Sequence, residues 1–164
     1  MEQLEIERRY LIRMPGTALL SRLPSSRIEQ VYILSPEGGR ERIRRREHGG
    51  RAVCTHTVKQ RLSELTRIER EEEISEERYS ELLSRADPAR RTILKTRFIY
   101  DYDDQPFEID VFPFWDDRAL MELELHDETQ TLRLPPDIGI VREVTFDSRY
   151  TNSAIAREIP WEPI

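Results

Sequence analysis

Charged and apolar side chains alternate along most of this chain, so that each set falls on every second residue. A period of two is that of a β-strand, in which successive side chains point to opposite faces of a sheet. Apolar residues such as Ile43, Ile109 and Leu123 dominate one parity. The polar parity comprises Glu5, Glu7 and Arg9; Arg42, Arg44 and Arg46; Thr57 and Lys59; Arg67, Glu69, Glu71 and Glu73; Lys95 and Arg97; Glu108 and Asp110; and Glu122 and Glu124. The pattern predicts strands that each bury one face only.

Composition limits the classes of protein that this chain can belong to. A length of 164 residues with 37% hydrophobic content predicts one domain with a modest core. A net charge of −6 argues against a nucleic-acid binder, so any anion site must be local and enclosed. The single cysteine, Cys54, excludes an intramolecular disulfide and favours a reducing cytoplasm. No apolar run approaches the roughly 20 residues that span a bilayer, so we expect no membrane association.

Stretches rich in proline, glycine and serine separate eight predicted strands. These strands lie at the start of the sequence and near 30–34, 40–47, 52–60, 66–74, 92–101, 106–112 and 119–125. Helices are predicted over 17–23, from Ser75 onwards, near 127–132 and over about 148–157. In the second of these, Tyr79 and Leu82 share the apolar face.

Eight antiparallel strands with one apolar face form either an open sheet covered by helices on one side or a closed barrel. In an open sheet, Glu122 and Glu124 need do no more than form cross-strand ion pairs with arginines. However, whole strands here repeat one sign of charge, which is repulsive unless a partner of opposite charge is present. A phosphate chain would satisfy the arginines, and hard divalent cations would satisfy the carboxylates. The charge pattern therefore favours an enclosed polar lumen.

The N-terminal segment from Glu5 to Arg9, Glu-Ile-Glu-Arg-Arg, resembles the Glu-x-Glu-x-Lys signature of the CYTH domain, or triphosphate tunnel metalloenzyme, superfamily. The resemblance continues in order through 30–32, 42–44, 57–59, 67–71, 95–98, 108–112, 122–125 and 143–156, and it covers residues 2–157. It is closest to small bacterial single-domain members. It implies one domain over residues 1–164, folded as an eight-stranded antiparallel closed β-barrel with a polar lumen and with helices packed outside. A C-terminal helix is expected near one tunnel mouth, with Tyr150 and Asn152 close to the opening.

The resemblance also implies roles for the polar residues. The expected metal ligands are Glu5, Glu7, Glu122 and Glu124, supported by Glu69, Glu71 and Asp110, with Mg²⁺ or Mn²⁺ as the cofactor. The expected phosphate-binding residues are Arg9, Arg42, Arg44, Lys59, Arg67, Lys95 and Arg97. The expected catalytic set is Glu5, Glu7, Arg9, Lys59, Glu122 and Glu124. Arg46, Glu73 and Glu108 have the same parity but are expected at solvated strand ends.

The resemblance leads to three functional hypotheses. The first is a metal-dependent inorganic triphosphatase that splits tripolyphosphate into pyrophosphate and phosphate. The second is a class IV adenylyl cyclase or a hydrolase of thiamine or nucleoside triphosphates. The third is a non-catalytic polyphosphate-binding module, suggested by Arg9, which replaces the lysine of the signature and cannot readily lose a proton. In each case the partner is tripolyphosphate or another small molecule containing a triphosphate, and both a monomer and a homodimer remain open.

Overall fold

The computed structural model describes residues 2–36 and 40–164. Within these ranges the strands are β1 (Glu2–Arg13), β2 (Ser25–Ile33), β3 (Arg40–His48), β4 (Arg51–Arg61), β5 (Thr66–Ile74), β6 (Ile93–Tyr102), β7 (Gln105–Val111), β8 (Arg118–Glu124) and β9 (Ile140–Glu143). The α-helices are α1 (Thr17–Leu20), α2 (Glu76–Leu82) and α3 (Asn152–Ile155), with 3₁₀ turns at Leu83–Arg85 and Ser148–Tyr150.

The long first strand closes the sheet into a barrel. Residues Glu2 to Ile6 of β1 pair with β5, and Glu7 to Arg13 pair with β8. The remaining neighbours follow the order β5-β4-β3-β2-β6-β7-β8, and every pairing is antiparallel. This arrangement confirms the predicted eight-stranded closed barrel. Closure removes the free edges that an open sheet would expose.

A ninth strand was not predicted. β9 pairs with Tyr10 to Ile12 of β1, on the edge that β1 leaves free beyond its pairing with β5. The strand is only four residues long, and its partner lies more than a hundred residues away in the sequence. A run this short carries too little periodicity to identify it as a strand.

Two predicted helices differ in kind from the structure, and the helix predicted over 17–23 ends early, at Leu20. The helix near 127–132 was wrong, since the Asp127 side chain accepts a 2.8 Å hydrogen bond from the backbone N–H of Thr129 and stabilises a turn instead. The helix over 148–157 is divided into a 3₁₀ turn and α3, because Thr151 is extended and caps α3 by accepting from the Ala154 N–H. Helix α2 begins as predicted, with Ser75 as its N-cap.

Apolar side chains cover the outside of the barrel. Tyr79 and Leu82 of α2 pack on Val31, Ile43 and Cys54 of β2, β3 and β4. A larger cluster covers β1, β7 and β8 and includes Ile6, Tyr10, Phe107, Ile109, Met121 and Leu123. The charged parity therefore faces the lumen. Among the described residues, no helix is long and apolar enough to cross a bilayer.

Candidate active site in the barrel lumen

The lumen holds a cavity of about 170 Å³ whose wall is almost entirely polar. It is lined by Leu4, Glu5, Glu7, Arg9, Arg42, Arg44, Lys59, Glu69, Glu71, Lys95, Arg97, Glu108, Glu122, Glu124 and Asn152. The fold thus brings together most of the residues predicted from strand parity. Three predicted residues, Arg67, Asp110 and Tyr150, lie outside this lining.

Arg9 joins two of the predicted metal ligands. It lies opposite Glu122 in the β1–β8 pairing, and its Nε is 2.8 Å from Glu122 Oε1. Its Nη2 is 2.6 Å from Glu7 Oε1. Burial favours the neutral form of Glu122, but the charge of Arg9, aided by Arg97 and Lys95, holds the pKa of Glu122 well below its usual range. Arg9 therefore acts as a buried counter-ion for both carboxylates.

Glu7 has less compensation than Glu122. Burial and the neighbouring Glu122 carboxylate raise the pKa of Glu7 to about 7, although Arg9 opposes the shift. Two carboxylates that share one guanidinium in a buried site cannot both ionise freely. Arg9 alone therefore does not fully compensate Glu7 and Glu122 when both are ionised.

The raised pKa of Glu7 predicts that the metal-free protein loses stability as the pH rises from about 4.5 through about 7. In this window the folded protein retains a proton that the unfolded chain has released, so the contribution is fully present below pH 4.5 and is lost above pH 7. The expected loss is on the order of 3 kcal/mol. Urea unfolding at pH 5 and pH 8 in EDTA measures it, and Glu7→Gln should remove this part of the pH dependence and leave the part due to Glu69, whose pKa is also raised to about 7. An equal fall in Glu7→Gln and in the mouth variant Glu73→Gln would contradict the assignment.

A second ion-pair cluster lies between β1, β4 and β5. The Lys59 ammonium is 2.9 Å and 2.8 Å from the two carboxylate oxygens of Glu5 and 3.6 Å from Glu69 Oε2. Burial raises the pKa of Glu69 to about 7 even though Lys59 is near. Beside it, Thr57 donates a 2.9 Å hydrogen bond to Glu71. Here too, carboxylates outnumber the cation that they share.

Asp110 lies behind the lumen wall. One of its oxygens accepts from Lys95 Nζ at 2.6 Å, and both accept from the Arg97 guanidinium at 2.7 Å and 2.9 Å. Burial opposes ionisation, but Arg97 and Lys95 lower the pKa of Asp110 to about 2. Both oxygens are already engaged and the side chain is 1% exposed, so metal ligation by Asp110, which stays a prediction, would require Lys95 and Arg97 to release it. Its position is that of a residue that orients Lys95 and Arg97 toward the lumen.

Two arginines of β3 lack full compensation. Arg42 Nε is buried without a hydrogen-bond partner among the residues that the structure describes. For Arg44, the ion pair with a carboxylate is long: its Nη2 is 3.9 Å from Glu71 Oε2. Burial, together with Arg42 and Arg97, lowers the pKa of Arg44 to about 10. An anion in the lumen would relieve both side chains.

The two ends of the lumen differ. At one end, Arg67 lines a narrow gap of about 50 Å³ together with Arg40, Tyr32 and Thr151, next to the main cavity. At the other end, a wide mouth of about 770 Å³ is lined by Arg44, Arg46, His48, Arg51, Val53, Thr55, Glu69, Glu71 and Glu73. Arg46 and Glu73 therefore lie at the rim as predicted, whereas Glu108 lines the central cavity.

Sequence reasoning did not assign roles to Arg40 or Arg51, which line the two ends. Arg40 has the parity of Arg42 and Arg44, so the alternation itself was a usable signal. Tyr150 is wholly buried and does not line the opening, which corrects its predicted position. Asn152 lines both the central cavity and the narrow gap.

The lumen residues fit a hard divalent cation by their chemistry, since several carboxylates face one buried space and Glu7 and Glu69 hold raised pKa values there. Their present orientations do not enclose an ion. Among the described residues, no three carboxylate, histidine or cysteine side chains converge on a common point. Glu7 and Glu122 turn toward Arg9, and Glu5 turns toward Lys59. Binding a cation would require these side chains to rotate away from their protein counter-ions.

Comparison with known proteins agrees with this geometry. The chain is 34% identical over 160 residues to an inorganic triphosphatase from Nitrosomonas europaea, covering 95% of this chain and 99% of the relative. It also matches the crystal structure of an inorganic triphosphatase with a TM-score of 0.58 and 30% identity, over 96% of this chain and 100% of that one. A Pyrococcus horikoshii protein shares the fold with a TM-score of 0.57 and 19% identity, over 76% and 80% of the two chains. No family model matches the sequence.

This protein is a closed antiparallel barrel with cations and carboxylates facing a common lumen, and it shares its fold with the inorganic triphosphatase structure. This chain belongs to the family of the Nitrosomonas europaea inorganic triphosphatase.

Proposed function

We propose that this protein is a metal-dependent inorganic triphosphatase that hydrolyses tripolyphosphate to pyrophosphate and phosphate inside its barrel. The 34% identical relative supports the activity. The single structural observation that carries the proposal is the lumen itself, where arginines with too few counter-ions lie next to carboxylates with raised pKa values. A polyanion together with a divalent cation would satisfy both groups at once.

Each class of lumen residue has a distinct role in this proposal. Arg42 and Arg44 bind phosphate oxygens, because Arg42 Nε has no hydrogen-bond partner among the described residues and Arg44 has only a long, 3.9 Å ion pair with Glu71. Lys95 and Arg97, held by Asp110, present further positive charge from β6, which is separated from β3 by β2 alone. These groups position the phosphate chain of the substrate and stabilise the charge that moves to the leaving phosphate during hydrolysis.

The proposed metal ligands are Glu5, Glu7, Glu122 and Glu124, with Glu69 and Glu71 in support and Mg²⁺ or Mn²⁺ as the cation. A bound divalent cation supplies charge neutralisation and Lewis acidity at the phosphoanhydride. Arg9 and Lys59 keep these carboxylates compensated in the cation's absence. The arginine in place of the signature lysine is therefore compatible with turnover, provided that Arg9 can release Glu7 when a cation binds.

The wider assignment to the CYTH superfamily is also a proposal, supported by the order of the motifs along residues 2–157. The single domain over residues 1–164 and the cytoplasmic location stay predictions, as does the choice between a monomer and a homodimer.

The assay that tests the function is phosphate release from tripolyphosphate, pyrophosphate, ATP and thiamine triphosphate, with Mg²⁺, Mn²⁺ or EDTA. We expect rapid release from tripolyphosphate that requires the cation. Release from ATP should be at least about tenfold slower, since the described residues of the lumen include no feature dedicated to a nucleoside. Faster turnover of ATP would contradict the proposal, and its product, cyclic AMP or ADP, would identify the replacement. Tripolyphosphate binding without turnover would indicate a binding module.

A further inference from the structure

One end of the barrel interior is filled by apolar side chains. Leu11 has the same parity as Glu7 and Arg9, yet it is fully buried among apolar neighbours. Phe112 and Leu120 likewise continue the lumen-facing parity of Asp110 and Glu122. Together with Tyr32 and Ile93, these residues form an apolar plug, into which Trp115, Tyr150 and Ile155 also pack. The lumen therefore ends where the chain segment 148–156 enters the barrel.

This segment, which we call the mouth segment, is fastened from outside by residues 157–164, which we call the strap. The backbone carbonyl of Pro160 accepts a 3.3 Å hydrogen bond from the Trp115 indole, and that of Glu162 accepts from Arg118. The Glu162 carboxylate accepts from Arg142 Nη2 at 2.6 Å and from the Tyr150 hydroxyl. Glu162 thus contacts the barrel wall and the mouth segment at the same time.

The mouth segment connects Glu162 to the lumen. The Tyr150 ring is wholly buried, with its centre 6.3 Å from that of Trp115. Two residues further on, Asn152 Oδ1 accepts a 3.3 Å hydrogen bond from Lys95 Nζ and lines the central cavity. A change at Glu162 can therefore affect the Lys95 side chain in the proposed phosphate site, although Glu162 does not contact Lys95.

Building on the proposed function, we propose that Glu162 is a positioning residue that fixes the mouth segment through Tyr150 and so holds Asn152 against Lys95. This contact restricts one end of the lumen to the narrow gap and limits the substrate to a short chain with a free terminal phosphate at that end. Loosening the mouth segment should weaken tripolyphosphate binding and admit longer or esterified phosphates more readily.

Three substitutions test the proposal. Glu162→Ala removes the carboxylate, and Tyr150→Phe removes only the hydroxyl while keeping the ring in the plug. Trp161→Ala is the matched control, since this strap side chain is 64% exposed. We expect each of the first two to raise KM for tripolyphosphate by about three- to tenfold with a smaller change in kcat, and to lower the preference for tripolyphosphate over ATP by a similar factor. The double variant should raise KM no more than the more affected single variant does, because both substitutions act through one contact.

Amide hydrogen exchange over the mouth segment gives a second readout that does not depend on turnover. Exchange should be about tenfold faster in Glu162→Ala and Tyr150→Phe than in the parent protein or Trp161→Ala. A lower melting temperature with unchanged KM, substrate preference and exchange would overturn the proposal and leave Glu162 a purely structural residue. If Glu162→Ala does not fold, Tyr150→Phe decides alone. Absence of turnover in the parent protein would refute the proposed function, while the exchange rates would still decide the role of Glu162.

Discussion

Glu122→Gln is expected to lower tripolyphosphate hydrolysis by at least about a thousandfold. Glu122 lies at the centre of the lumen, where it faces Arg9 across the β1–β8 pairing and shares that guanidinium with Glu7. Its strongly lowered pKa keeps it anionic across the accessible pH range, as a permanent oxygen ligand must be. The amide has the same shape but no charge, so the proposed cation would lose a principal ligand.

The matched control is Glu73→Gln, which makes the same change on the lumen parity of β5 but at the wide mouth. It should retain at least about half of the parent activity, because surface substitutions away from the site have small effects. Urea unfolding of Glu122→Gln is needed beside the assay, since Arg9 loses one of its two partners. Activity of Glu122→Gln within about tenfold of the parent, in a folded protein, would remove Glu122 from the proposed metal site.

The fold was predictable from sequence because one physical constraint recurs in every strand. A side-chain period of two with like charges on one face favoured an enclosed polar surface, and the closed barrel provides it. Closure itself needed more than periodicity. It depends on the length of β1, which pairs with β5 in its first half and with β8 in its second. The motif order along the chain, not the alternation, indicated that closure.

Parity placed side chains on the correct face but could not tell how far along the barrel axis the lumen remains open. Asp110, Phe112 and Leu120 all have lumen parity, yet the first is sealed behind Lys95 and Arg97 and the other two belong to the plug. Arg67 has lumen parity and lines only the narrow gap. The depth of a side chain along the barrel axis depends on strand stagger, and the length of the open lumen depends on the residues that fill each end. A two-residue period predicts neither of these.

The local errors have a different origin. The residues around Asp127 have enough polar and apolar spacing for a helical turn, but side-chain hydrogen bonds to the backbone stabilise an irregular turn instead. Tyr150 was expected at the opening because the resemblance placed it, together with Asn152, on a C-terminal helix near one tunnel mouth. The extended conformation of Thr151 separates the two, so that Tyr150 packs in the plug while Asn152 reaches the cavity.

Asp110→Asn is expected to destabilise the folded protein by about 3–5 kcal/mol. In the parent protein, one carboxylate compensates Lys95, whose side chain is 1% exposed, and also binds Arg97 in a two-point contact. An asparagine offers one acceptor and directs an N–H group toward a cation. Lys95 and Arg97 would then remain buried without their shared anion, which costs more than the attraction that was lost.

Urea unfolding at pH 7, followed by the fluorescence of Trp115 within the plug, measures this loss, and Asp117→Asn is the control. Asp117 also pairs with an arginine, Arg118, but its side chain is 56% exposed, so its substitution should destabilise the protein far less than Asp110→Asn does. Because the pKa of Asp110 is lowered from 3.8 to about 2, the difference between parent and Asp110→Asn should be complete above pH 4 and shrink as the pH falls toward 2. A loss in Asp110→Asn no larger than that in Asp117→Asn would mean that water or other carboxylates, Glu108 and Glu122 among them, compensate the two cations. Asp110 would then not be the group that holds Lys95 and Arg97 toward the lumen.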